Sequence, residues 1–495
     1  MSRVGKQGVH RGVGGRVADQ TAGVFDRRHR LTTAGLLMLI TFVAFEAMAV
    51  ATAMPSAVRE LDGLSWYGWP FTGLLVAQVI GMVVGGDVGD RRGVRTALLW
   101  GVGLFALGLL ACGVSVTMVA FVAGRVLQGL GAGLISVSLF VVAGQAYSAA
   151  LRPALFGAFS AAWVLPALLG PLVAGLLATH ATWRLVFLGI LPLIAVGLLL
   201  VLPATSRLPV PTERPRPARA RRAWAVLTGL GVGCLQYAGQ RLDLIAVGIA
   251  VFGLAALVAG LRPLLPAGTA RLRRGLPTVI AVRGLLSGSF FGVDALLPLA
   301  LSEVHGYSAV QAGIPLTVGA LGWSAASQLQ ARRPDTSRVR LLQIGFVCIA
   351  VGVAGTALAV APGLGGFSAY VTWSIAGFGM GLGMPSVGVL LLDLSPEHRR
   401  GADSAALQIA DVVGAALCIG LAGVLVAAAT GGALPLSTAL LVAIAVFTTI
   451  AVAGALAAGR AAPPADGGTR PAPGVGVQSS SPSGTGGPAT TLAPS

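Results

Sequence analysis

Two charged side chains stand alone in long apolar stretches of this chain. One is Glu46, within Phe45-Glu46-Ala47-Met48, and the other is Arg125, within Gly124-Arg125-Val126-Leu127-Gln128-Gly129. A carboxylate or guanidinium placed in hydrocarbon is costly, so each is expected to face a cavity, a partner or a proton. Counting about 1.5 Å per helical residue back from Pro55 puts Glu46 roughly 13 Å below the outer surface. Arg125 lies at nearly the same depth from the outer end of its own stretch, so the two are expected to pair. An opposite charge favours the ionised carboxylate, and desolvation favours the neutral acid. A carboxylate balanced between those effects can load a proton in one conformation and release it in another. The plainer alternative is a structural ion pair joining two helices. Asp294, in Phe290-Phe291-Gly292-Val293-Asp294, is a third candidate, either to bind a cationic substrate or to carry a second proton. Arg283 precedes it by eleven residues on one helix, too far to be its structural partner, and Asp411 reads as structural.

Other chemistries lack their residues. No phosphate-cradling G-x-x-x-x-G-K-[ST] occurs, and Lys6 is the only lysine, so ATP is not expected as a direct energy source. No G-x-S-x-G nucleophile elbow is present. His10, His29, His180, His305 and His398 are scattered and form no metal-ligand set. Cys112, Cys234, Cys348 and Cys418 each lie inside an apolar stretch and read as small packing residues. Neither an enzyme, a cofactor nor a metal is expected.

The elements that must hold Glu46 and Arg125 are membrane helices. Of 495 residues 55% are hydrophobic and only 10% charged, against about a quarter charged in a soluble domain. The net charge of +17 would suggest nucleic acid in a soluble protein, but here the basic residues gather in short loops between apolar runs, which excludes that partner. Runs of about 20 residues long enough to cross a bilayer occupy 31–54, 66–88, 94–114, 116–140, 153–179 and 185–203. A basic, proline-rich linker follows at 204–222, then two runs at 223–240 and 243–262, and a basic loop at 263–276. Six more runs cover 277–302, 307–329, 340–361, 365–393, 406–430 and 435–458. The polar segment 1–30 precedes them as an N-terminal tail. The Pro/Gly/Ser/Thr-rich tail 459–495 has little to bury and is expected to be disordered. With both termini in the cytoplasm, only Arg59, Arg184 and Arg241 fall outside and only Arg125 and Arg283 fall in the interior of runs, Arg95, Arg262 and Arg340 standing at cytoplasmic run ends, as the positive-inside rule requires.

Three motifs then identify a family. Gly86-Asp87-Val88-Gly89-Asp90-Arg91-Arg92-Gly93-Val94-Arg95 resembles the signature loop G-x-x-x-D-R-x-G-x-[RK] of the major facilitator superfamily, with Gly86, Asp90, Arg91, Gly93 and Arg95 in place. Its glycines are expected to let two helices approach and the chain reverse. Asp90 with Arg91 and Arg95 is expected to form a charge cluster on the membrane surface. Arg125, Gln128, Gly129 and Gly131 match the fourth-helix motif R-x-x-Q-G-x-G, whose Arg the family links to proton transfer. Pro166, Gly170, Pro171 and Gly175 match the antiporter motif G-x-x-x-G-P-x-x-x-G, except that Pro166 replaces a Gly. Pro171 and Gly170 are expected to let that helix bend. Thr182-Trp183-Arg184 also resembles exporters with fourteen spans.

The resemblance implies an all-α polytopic membrane protein of the major facilitator fold. Two six-helix bundles (31–203 and 277–458) plus two extra helices (223–262) make fourteen transmembrane helices. It implies a multidrug efflux antiporter of the plasma or inner membrane, a monomer, exchanging protons for small lipophilic or cationic compounds by alternating access. Glu46, Arg125 and Asp294 would couple protons, and Gly86, Asp90, Arg91, Gly93 and Arg95 would form the conformational switch. Trp163, Phe290, Phe291, Trp323, Tyr370 and Trp373 would line an aromatic cavity for flat or cationic molecules. Export of an endogenous metabolite, lipid or peptide, and a membrane protein of another class such as a lipid flippase, remain open as alternatives.

Overall fold

The computed structural model describes residues 23–462 except 28, 149–150, 152–154, 156–157, 160–161, 209–218, 241–243, 333–335, 362–364 and 397–398. Most of the N-terminal tail, the centre of the 204–222 linker and the tail beyond 462 therefore lie outside the described residues. So does His398.

The described chain is helical throughout. In order come α1 (Arg30–Glu60), α2 (Trp69–Arg92), α3 (Val94–Gly113), α4 (Met118–Ala146), α5 (Val164–His180), α6 (Ile190–Thr205), α7 (Arg219–Ala238) and α8 (Leu244–Leu264). Then follow α9 (Leu276–His305), α10 (Ala309–Ala331), α11 (Arg338–Gly355), α12 (Ser368–Leu394), α13 (Arg400–Thr430) and α14 (Leu436–Ala458). Among the described residues eleven helices, some counted with the short turn that adjoins them, are long and apolar enough to cross a bilayer. Every apolar run of the sequence carries a helix, but α5, α7 and α10 fall outside the eleven. The described part of α5 is short. α7 opens on Arg219-Ala220-Arg221-Arg222, and α10 carries Gln311, Ser324, Ser327, Gln328 and Gln330.

α1–α6 pack as one bundle and α9–α14 as another. Glycine sets the closest crossings. A Cβ on Gly131 of α4 would stand 2.3 Å from the Phe105 backbone nitrogen of α3. One on Gly129 would stand 2.1 Å from the Leu74 carbonyl oxygen of α2. Both distances are far inside van der Waals contact, so only glycine lets α4 sit between those neighbours. α7 and α8 form an antiparallel pair against α2 and α13, where Val79, Ala225, Val232, Ile409 and Val412 share one apolar cluster. The two bundles meet chiefly through α5 on α10 and α2 on α13.

Two expectations about the signature loop need correction. α2 does not end at 88 but continues to Arg92, so the loop shrinks to Gly93, whose φ of +86° makes the reversal. Gly86 and Gly89 do not serve close approach, because a Cβ at either would meet nothing within 4 Å.

Candidate functional site

Glu46 and Arg125 meet. α1 carries Glu46 and α4 carries Arg125, and both side chains are almost fully buried, at 2% and 3% exposure. Arg125 Nη1 donates to Glu46 Oε1 and, at 2.9 Å, to Gln128 Oε1 one turn along α4. Arg125 Nε donates to the Pro70 carbonyl oxygen at 3.1 Å. Pro70 is the second residue of α2, where that carbonyl begins the helix. Three helices of the first bundle thus converge on one guanidinium. The Gln128 Nε2 group is buried with no partner among the described residues, and the Cys112 thiol lies 3.9 Å from Gln128 Oε1. Because Gln128 and Pro70 hold the guanidinium independently of Glu46, the carboxylate can gain or lose a proton without freeing the cation to move.

Asp294 lies in the second bundle, half-buried, hydrogen-bonded to Trp373. The residue after it, Ala295, accepts a 2.6 Å hydrogen bond from the Tyr67 hydroxyl across the bundle interface. No contact among the described residues joins Asp294 to the Glu46–Arg125 pair.

The switch segment assembles differently from expectation. Asp90 and Arg95 are exposed, and neither forms an ion pair among the described residues. The buried carboxylate is Asp87, 7% exposed, with Arg222 at 3.1 Å and Arg91 at 4.0 Å. Continuing α2 past residue 88 places Asp87 one turn before Arg91 and turns Asp90 outward. The charge cluster therefore forms at Asp87 and draws in the start of α7.

The antiporter-type motif lies on α5. Pro166 is buried within the first turn, where its missing N–H costs no helical bond. Pro171 is inside the helix. Gly170 lies beside α1, its virtual Cβ 3.3 Å from Met48 Cβ, and a Cβ on Gly175 would stand 2.8 Å from Val310 Cα of α10. This stretch of α5 joins the Glu46 helix to the second bundle.

The aromatic residues do not form one lining. Trp373 is fully buried and stacks on Phe290 with ring centroids 4.6 Å apart. Phe291 and Trp323 meet Phe290 edge-on and are half-buried. Trp163 is 45% exposed at the start of α5. Tyr370 stacks on exposed Phe367 at the start of α12. Trp373 and Phe290 pack inside the second bundle because α10 and α12 cross at Gly319 and Gly377, leaving the indole wedged beside Gly319.

Sequence reasoning did not foresee a second intramembrane ion pair. Arg283 of α9 donates to Asp411 of α13 through Nε at 2.8 Å and Nη2 at 3.0 Å, and Ser287 Oγ donates to the same carboxylate. Both are partly exposed, at 15% and 18%. The depth-matching used for Glu46 and Arg125, applied to these two, was the signal available.

The contacts between bundles cluster at the end where α2 begins. There Arg59 pairs with Glu303 at 3.1 Å, Tyr67 bonds Ala295, Gly68 abuts Gly423, and Thr52 abuts Gly313. At the other end Gly86 and Gly89 have open space beside them. Among the described residues the named contacts between the bundles lie at the end where α2 begins, which is the closed end.

Comparison with known proteins agrees with this architecture. The family model of the Major Facilitator Superfamily matches residues 36–417. The chain belongs to that superfamily. It is 26% identical over 413 residues to the methylenomycin A resistance protein of Bacillus subtilis (strain 168), covering 79% of this chain and 85% of that one. It is 26% identical over 452 residues to a probable multidrug-efflux transporter of Mycobacterium tuberculosis (strain CDC 1551 / Oshkosh), covering 84% and 91%. Among solved structures, a POT family transporter in complex with a thioalcohol-conjugated peptide superposes with TM-score 0.65 at 15% identity, covering 87% of this chain and 96% of that one. The human organic anion transporter MFSD10 (TETRAN) gives TM-score 0.58 at 14% identity, covering 87% and 99%. These structures share the fold. The chain is a multi-pass membrane transporter and not an enzyme.

Proposed function

We propose that this chain is a proton-coupled exporter of small lipophilic or cationic compounds, working by alternating access with Glu46 as its proton-exchanging group. The observation that carries the reading is the buried Glu46–Arg125–Gln128 cluster, whose cation keeps two neutral acceptors whatever the state of the carboxylate. The relatives named for methylenomycin A resistance and for probable multidrug efflux support the substrate class.

In this reading fourteen helices cross the bilayer with both termini in the cytoplasm, as the distribution of arginines favours. The closed end then faces outward, and the structure corresponds to an inward-facing state with Glu46 ionised against Arg125. Rocking 31–203 against 277–458 would break the Arg59–Glu303, Tyr67–Ala295 and Gly175–Val310 contacts and open the outer side. There Glu46 would take an external proton and lose its attraction to Arg125, while Gln128 and Pro70 retain the guanidinium. Return to the inward state would restore the pair and expel the proton inward. Asp294, beside the Trp373–Phe290 stack at the bundle seam, would attract the cationic group of a substrate.

The test is a panel of dyes and cationic drugs added to inverted membrane vesicles holding a preformed pH gradient. Compounds that are carried should collapse the gradient. A panel in which none does so refutes drug–proton exchange and favours an endogenous metabolite, lipid or peptide as the cargo.

A further inference from the structure

The extra helix pair has no place in a two-bundle mechanism, yet α7 inserts a polar side chain at the seam between the bundles. Gln236 is 2% exposed. Its Oε1 accepts a 3.0 Å hydrogen bond from the Thr72 hydroxyl of α2, itself buried, in the first bundle. On the other side the same amide lies against glycines of α13 in the second bundle. A Cβ on Gly420 would stand 2.6 Å from Gln236 Oε1, and one on Gly423 would stand 3.0 Å from Nε2. Gly68, which caps the start of α2, closes the notch, its virtual Cβ 2.8 Å from Nε2 and 2.8 Å from Gly423 Cα. At the opposite end of α7, Arg222 is tied to Asp87 of α2 at 3.1 Å.

We infer that Gln236 is a clasp for the closed end of the transporter, a positioning residue through which α7 stabilises the contact of α2 with α13. α7 rides on α2, pinned at Arg222–Asp87 and, in the closed state, at Gln236–Thr72, while the Gln236 amide sits in the space between Gly68, Gly420 and Gly423. When α2 and α13 part, the notch opens, the amide loses its seat on α13 and is no longer held against Thr72, so that hydrogen bond counts toward the closed state alone. The buried apolar glycine surface it covered is then exposed. Removing the Thr72–Gln236 hydrogen bond frees the amide to leave the notch and so favours the opened state. A buried hydrogen bond is worth about 1 kcal/mol, which corresponds to about a fivefold change in the ratio of closed to open states.

The inference rests on the rocking of two bundles proposed above, but not on protons or on any particular cargo. Its test places spin labels at Ser65→Cys, in the turn before α2, and Thr430→Cys, at the end of α13. Both residues line one open depression of about 710 Å³ at the closed end. The four native cysteines are replaced by alanine, and distances are recorded in lipid nanodiscs from pH 5 to pH 8 for the parent, Gln236→Met and Thr72→Val. Methionine keeps the volume of glutamine without its amide, and valine removes the donor from the other side. The expected result is a short and a long distance in the parent, with the long one enriched about fivefold in both variants. If Gln236→Met does not accumulate in the membrane, Thr72→Val alone decides. Two distances in the parent with unchanged proportions in the variants would overturn the clasp and leave rocking intact. A single distance under every condition would overturn both.

Discussion

Replacing Glu46 by glutamine gives the most informative stability measurement on the site. The variant keeps the shape of the side chain and removes its charge. Losing one member of a buried ion pair ordinarily costs about 3–5 kcal/mol, because the other charge is left unpaired. Here Arg125 retains Gln128 Oε1 at 2.9 Å and the Pro70 carbonyl at 3.1 Å, and the new amide oxygen offers a third acceptor. The cost of Glu46→Gln should therefore fall to about 1–3 kcal/mol, within the range for a hydrogen bond to a charged group. Arg125→Gln should cost more, since it strips Glu46 of the ion-pair partner it has among the described residues and removes a charged donor from both Gln128 and Pro70. In the double variant both charges are gone, and the loss should be smaller than the sum by about 1.5–3 kcal/mol. The assay is a double-mutant cycle of unfolding free energies in mixed micelles titrated with denaturing detergent. A coupling below about 0.5 kcal/mol would refute the reasoning, because it would mean that the pair contributes no mutual stabilisation in the membrane.

Other outcomes follow from the same geometry. Asp87→Asn should destabilise by about 1–3 kcal/mol, since it leaves Arg222 and Arg91 without their buried carboxylate, whereas exposed Asp90→Asn should change stability by less than about 0.5 kcal/mol. Thermal unfolding of the two variants side by side checks the reassignment from Asp90 to Asp87. Gly129→Ala and Gly131→Ala should each lower stability by more than about 2 kcal/mol by overpacking α4 against α2 and α3. Gly86→Ala and Gly89→Ala should be neutral or stabilising by about 0.5–1 kcal/mol, because alanine suits a helix better and meets no neighbour. Tyr67→Phe, which removes the 2.6 Å bond to Ala295, should raise the rate at which a cysteine at position 295 is alkylated by a membrane-impermeant reagent from the outside, about fivefold for a loss near 1 kcal/mol.

The helices and their order were legible because a bilayer-spanning run needs only length and apolarity, and loops need only charge. Of the three helices that fall short of that measure, α5 is short in its described part, and α7 and α10 have their apolarity diluted by polar residues. α7 bears Gln236 and α10 bears Gln330, polar groups that the fold buries against other helices, and α10 also opens with exposed Gln311. The Glu46–Arg125 pair was readable from depth alone. Its anchoring by the Pro70 carbonyl was not, because a backbone oxygen at a helix start leaves no mark in the residue types. Asp87 was hidden by a boundary four residues out: ending α2 at 88 makes Asp90 the central acid of a loop, and extending it to Arg92 makes Asp87 the buried one. The aromatic residues were misplaced for a related reason. Residue type records that Trp373 and Phe290 are large and apolar, but whether they face a cavity or fill a crossing depends on Gly319 and Gly377 of neighbouring helices.

The central claim is that Glu46 exchanges the proton that drives export. Purified protein in liposomes, loaded with a carried cationic dye, separates coupling from passage. The account predicts that the wild type concentrates dye in response to an imposed pH gradient. Glu46→Gln should exchange labelled for unlabelled dye at equilibrium but gain nothing from the gradient. Gradient-driven accumulation by Glu46→Gln at the wild-type level would contradict it.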